Sequence, residues 1–102
     1  MKSIEPTELA ALGDGVALID VREPDEYEVA HVEGATLIPL GELPQRLGEL
    51  PAGETLYVMC HSGGRSAHAT AFLEAQGIDA VNVLGGITGW FGAGLPVERG
   101  MD

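Results

Sequence analysis

Cysteine occurs once in the chain, at position 60. No internal disulfide can form, which points to a reducing, cytoplasmic setting, where cross-links are rare. Strong cations are also scarce: Lys2, Arg22, Arg46, Arg65 and Arg99 stand against 16 Asp and Glu, for a net charge of −11. A chain so poor in clustered Lys and Arg is unsuited to the phosphate backbone, so no nucleic acid is expected as a partner. The acidity reads as a solvated surface that keeps a small protein soluble. No uninterrupted apolar run approaches the roughly 18 residues of a membrane span, and no charged-then-apolar leader opens the chain, so no membrane association is expected. Repeats and low-complexity tracts are absent. His31, His61, His68 and Cys60 lack the paired spacings of a zinc site, so neither metal nor cofactor is expected.

What remains is ordinary for one globular domain with one hydrophobic core: 102 residues, 45% hydrophobic and 21% charged. The whole of 1–102 is assigned to that domain, with residues 97–102 as a tail prone to fray. Val16 to Val21 and Thr55 to Met59 are short apolar runs bounded by glycine or charge, as strands covered on both faces should be. Ala35 to Ile38 and Ala80 to Leu84 read the same way. Helix formers fill Thr7 to Leu12, Pro24 to Glu28, Leu43 to Leu50 and Arg65 to Gln76, with Pro6 and Pro24 suited to first turns. Gly13, Gly41, Gly53, Gly77, Gly85 and Gly86 fall between these elements. The alternation predicts a parallel α/β sheet, whose ligand crevice lies beyond the carboxyl ends of the strands.

Cys60 sits at such an end, where Thr55 to Met59 breaks into His61-Ser62-Gly63-Gly64-Arg65-Ser66 and a helix. A free cysteine here has two possible fates, a small hydrophobe closing a core strand or a nucleophile. The residues that follow favour the second. If the loop curls around the sulfur, successive N–H groups form an anion nest, helped by the positive end of the helix. Gly63 and Gly64 allow the curl through positive φ, and Arg65 adds a permanent planar charge suited to an oxyanion. Because the protein as a whole repels anions, a small anionic substrate has to be held at short range by these amides and Arg65.

Cys60-His61-Ser62-Gly63-Gly64-Arg65-Ser66 resembles the active-site loop of the single-domain rhodanese family of sulfurtransferases. Three more stretches agree in order and spacing: Leu18 to Tyr27 resembles the family's first motif, His31 to Ala35 with Ile38-Pro39-Leu40 its second, and Leu84 to Trp90 with Gly94 and Pro96 its closing motif. The likeness runs from about Ile4 to Pro96. It implies a three-layer α/β fold with a central, mostly parallel five-stranded sheet and helices on both faces. It also implies that Cys60 takes sulfane sulfur from thiosulfate or a similar small anionic donor, carries it as a persulfide, and passes it to a thiol or protein acceptor. With no second cysteine, that acceptor must be external. His61, Ser62, Gly63, Gly64, Arg65 and Ser66 are the implied substrate-binding residues, and Asp20 and Arg22 the supporting pair, with a binding role for Arg22 left open.

Cysteine phosphatases of related fold carry five residues between cysteine and arginine; here four lie between Cys60 and Arg65, a tighter loop that suits one sulfur atom better than a tetrahedral phosphate. A non-catalytic protein-binding or redox-sensing module is the other reading. His61 departs from the arginine found in many thiosulfate-using relatives, and donor affinity is expected to weaken as His61 loses its proton. Glu33 stands where relatives often have proline. His31 is expected to make a packing hydrogen bond, His68 to occupy a helix face, and Trp90 to anchor the core near the last helix.

Overall fold

The computed structural model describes residues 1–100. Five strands, β1 (Lys2–Ile4), β2 (Ala17–Asp20), β3 (Thr36–Leu37), β4 (Leu56–Met59) and β5 (Ala80–Val83), form one sheet in the order β1-β5-β4-β2-β3. All four pairings are parallel, so the expectation of a mostly parallel sheet resolves to a wholly parallel one among the described residues. β4 is central, registered against β2 through Ile19–Val58 and against β5 through Val58–Asn82.

Side-chain alternation divides the core in two. Ile19, Leu56, Val58 and Cys60 face one cluster with Ala69 and Leu73, while Leu18, Met59 and Val83 face another with Leu9, Ile87 and Trp90. The helical residues of the second cluster come from α1 (Pro6–Ala11) and α4 (Gly86–Gly92); those of the first come from α3 (Gly64–Ala75) and a 3₁₀ segment, Leu40–Glu49. Helices therefore cover both faces. α2 (Pro24–Val29) follows β2. In α1 and α2 a proline opens the first turn, and the Glu8 and Glu26 carboxylates accept the N–H of Glu5 and Glu23 at 3.0 Å.

One expectation is corrected. The helix read over Leu43 to Leu50 is 3₁₀, because Pro44 has no N–H to donate and the chain kinks at Arg46 (φ −115°, ψ 17°). The three-residue spacing of Leu40 and Leu43, then of Leu47 and Leu50, still places all four against the first cluster. β1 was not visible as a strand, since Lys2 and Ser3 are polar and exposed at an edge that needs no apolar pattern. The end of the chain is tied as far as it is described: Glu98 bridges His31, Trp90 Nε1 donates to Pro96 O at 2.7 Å, and Gly100 N donates to Glu28 O at 2.7 Å. Residues 101–102 of the expected tail lie outside the described residues. Among the described residues no helix is long and apolar enough to cross a membrane.

Candidate active site

Cys60 follows the last residue of β4 and is 1% exposed, yet its sulfur is not packed against carbon alone. Gly63 N donates to Sγ at 3.1 Å. Burial pushes the thiol pKa up, but the Ser66 hydroxyl and the amides of Ser66, Gly63 and Ser62 outweigh it, and the net direction is down. The groups around the sulfur thus favour the thiolate.

The loop reaches this shape through glycine at two places. Gly63 has φ +110° at the N-cap of α3, a left-handed conformation that turns its amide onto the sulfur while its carbonyl accepts Ala67 N at 3.0 Å to start the helix. Gly64, expected to share that role, lies within α3 without positive φ; an ideal Cβ there would meet nothing within 4 Å, so its contribution is open space. The second place is across the sheet. The amides of Ile87 and Thr88, at the start of α4, donate to Cys60 O (2.9 Å) and His61 O (3.1 Å), which turns the loop carbonyls outward and its amides inward. Gly86, with φ +55°, sits so close to those carbonyls that any Cβ would overlap them.

Ser66 is buried with Oγ 2.6 Å from Asn82 Oδ1 and 3.2 Å from Gly63 O, so its single rotatable O–H is shared between these oxygens and the nearby sulfur. Asn82 is a residue that sequence reasoning passed over. Its one signal is a polar side chain in the middle of an apolar strand.

Arg65 departs most from expectation. Its guanidinium does not point a free fork at the sulfur; Nη1 and Nη2 donate to the two Glu26 oxygens at 2.7 and 2.8 Å. Glu26 is held near pKa 2 by that bidentate bond. Nothing local in the sequence signals this pair, which joins residues 39 apart. His61 is exposed and its Nε2 lies 3.3 Å from Thr88 Oγ1, and Ser62 is exposed beside it.

Asp20 and Arg22 lie behind the site. Asp20 is fully buried and accepts from Arg22 Nε and Nη2 at 3.0 and 2.8 Å, while Arg22 also donates to Glu26 O and Ala30 O at 3.3 and 2.8 Å. Arg22 is thereby committed to holding the end of α2, and through it the backbone that carries Glu26. His31 Nδ1 donates to Tyr27 O (3.0 Å) and its ring stacks on the Tyr27 ring, a packing role as expected. Trp90 is buried in the second cluster, and His68 is exposed on α3.

A five-stranded parallel sheet with a cysteine loop at the end of its central strand is the architecture of a rhodanese domain, and the rhodanese-like domain family matches residues 5–93. The chain belongs to that family. It is 35% identical over 86 residues to a protein named thiosulfate sulfurtransferase GlpE from Actinobacillus pleuropneumoniae, covering 83% of this chain and 80% of that one. A crystal structure of a rhodanese-like domain protein from Staphylococcus aureus superposes with a TM-score of 0.88 at 38% identity, covering 99% of this chain and all of that one. YrkF of Bacillus subtilis is 42% identical over 80 residues, 78% of this chain; the chain spans only 43% of YrkF's length and 21% of that of a longer Mycobacterium tuberculosis relative.

Proposed function

We propose that this protein is a sulfurtransferase in which the Cys60 thiolate accepts a sulfane sulfur and hands it to a thiophilic acceptor. The observation that carries the reading is the Gly63 amide 3.1 Å from Sγ, in a loop whose donors together lower the thiol pKa. Thiolate attacks the outer sulfur of a donor R–S–S⁻ or R–SO₂–S⁻. A Cys60 S–S bond forms, the donor's bond to that sulfur breaks, and its electron pair leaves with the thiolate or sulfinate. The terminal sulfur of the persulfide carries the negative charge that the amides hold. A thiol, a protein thiolate or cyanide then attacks that terminal sulfur and releases Cys60 as thiolate. The thiosulfate sulfurtransferase name of the GlpE relative supports this class of reaction. With one cysteine in the chain, release needs a second molecule, and a reducing compartment such as the cytoplasm keeps the thiolate available.

Phosphate-ester cleavage fits less well. A transferring phosphoryl group needs the loop arginine on its equatorial oxygens, and here both terminal nitrogens of Arg65, Nη1 and Nη2, are on Glu26. The test is intact-mass measurement after incubation with thiosulfate and with methanethiosulfonate. The expected result is a gain of one sulfur that cyanide removes and that Cys60→Ser abolishes. No gain with either donor sinks the transferase reading and favours a binding module; phosphate release from an aryl phosphate ester favours the phosphatase.

A further inference from the structure

Arg65 is the only lysine or arginine in the 60–66 loop. In a loop that must take anionic sulfur inside a protein of charge −11, one expects that guanidinium to be free for substrate. It is not. Glu26 engages it in a two-pronged ion pair, with the side chains 31% and 38% exposed, and Glu23 adds a second carboxylate acting on the same guanidinium. The next arginine along this wall, Arg22, is buried in its own pair with Asp20. The Arg65 guanidinium holds the Glu26 carboxyl pKa at about 2, so Glu26 is ionised at neutral pH. The site therefore offers amide dipoles to a sulfur atom and no uncompensated guanidinium to a sulfonate.

We propose that Glu26 sets donor selectivity by neutralising Arg65, so that Cys60 takes sulfur from a donor with no more than one negative charge, a thiosulfonate or hydropersulfide, in preference to dianionic thiosulfate. The proposal rests on the sulfur-transfer reading above. The chemistry is the same for either donor. From methanethiosulfonate, the Cys60 thiolate forms the new S–S bond, the sulfur–sulfonyl bond breaks and methanesulfinate leaves with the electron pair; from thiosulfate the leaving group is sulfite. What differs is one unit of charge brought against the thiolate, Glu23 and Glu26. Glu26 is thus a positioning residue that acts through Arg65.

The test compares kcat/KM for thiosulfate and methanethiosulfonate in the full chain and in Glu26→Gln. Glutamine at this helix position keeps the capping acceptor for Glu23 N, but its amide nitrogen cannot accept from Arg65 Nη2. The intrinsic difference between donors cancels when the ratio of their kcat/KM values is compared across variants. Glu26→Gln is expected to shift that ratio toward thiosulfate by at least about fivefold, the order expected for one freed charge-assisted contact. As an independent measurement on the unmodified protein, kcat/KM for thiosulfate is expected to rise as sodium chloride screens the repulsion, and more steeply than for methanethiosulfonate. A ratio unchanged in Glu26→Gln, or a thiosulfate kcat/KM that falls with salt, overturns the inference while leaving a Cys60 persulfide enzyme standing. Failure of both donors to load a cyanide-removable sulfur overturns the inference and the underlying reading together.

Discussion

Gly86→Ala probes the scaffold that forces the loop amides onto sulfur. At φ +55° an alanine carries about 1 kcal/mol of left-handed strain. Its Cβ would also stand 2.6 Å from His61 O and closer still to Cys60 O, so α4 and the loop must separate. Separation breaks the bonds from Ile87 N to Cys60 O and from Thr88 N to His61 O. At about 1 kcal/mol each, these bring the total to about 3 kcal/mol. Gly85→Ala is the milder comparison: φ is +73°, and its Cβ would make a tight contact with Gly89 Cα at 3.3 Å but no overlap, so it costs about 1 kcal/mol of strain with only a small local adjustment. In a chain of this size the melting temperature should fall by roughly 12–24 °C in Gly86→Ala and 4–8 °C in Gly85→Ala. A native stability of about 5–10 kcal/mol leaves both variants folded at 25 °C. Once the Cys60 and His61 carbonyls move, the Ser62 and Gly63 amides turn off the sulfur, and the pH midpoint for iodoacetamide alkylation of Cys60 should rise in Gly86→Ala alone. Equal melting temperatures for the two variants, with unchanged alkylation profiles, would refute the coupling between α4 and the loop.

Two further outcomes follow from the geometry. Alkylation of Cys60 tracks thiolate, so its rate should climb with pH through a midpoint below the free-thiol value of about 8.5, and Ser66→Ala should move that midpoint upward because the Ser66 hydroxyl lowers the pKa; a native midpoint at or above the free value would contradict the amide nest. Asp20→Asn leaves the buried Arg22 charge without its carboxylate and should lower stability in urea by about 3 kcal/mol, whereas a loss under about 1 kcal/mol would show that Arg22 is held by the Glu26 and Ala30 carbonyls alone.

Most of the fold was legible because its signals are local. Val16 to Val21 and Thr55 to Met59 are apolar on both alternate faces, and both faces turn out to be covered. Pro24 marks a helix start because its ring satisfies a first-turn position without help from the rest of the chain. The 3₁₀ segment reads as an ordinary helix because helix formers fill Leu43 to Leu50, whereas Pro44, lacking an N–H, interrupts the hydrogen-bond ladder that such a helix needs. β1 carries no pattern, since an edge strand of three residues is specified by its partner β5.

The chemistry divides along the same line. Cys60, the glycine turn after it and the helix start were readable, because strand, loop and helix N-terminus are consecutive in the chain and their dipoles add at one point by local geometry. The state of Arg65 was not readable. Its charge is written in the sequence, but whether that charge is available depends on Glu26, 39 residues earlier, and on the Asp20–Arg22 pair that holds the helix carrying it. Likewise, Gly86 and Asn82 shape the loop from β5 and the start of α4, elements that only the strand order brings beside β4. Sequence alone determined which atom is the candidate nucleophile, since that requires one thiol in one local conformation. Packing decided which charges surround it, because ion pairing falls steeply with distance and distance between remote segments exists only once the sheet is assembled.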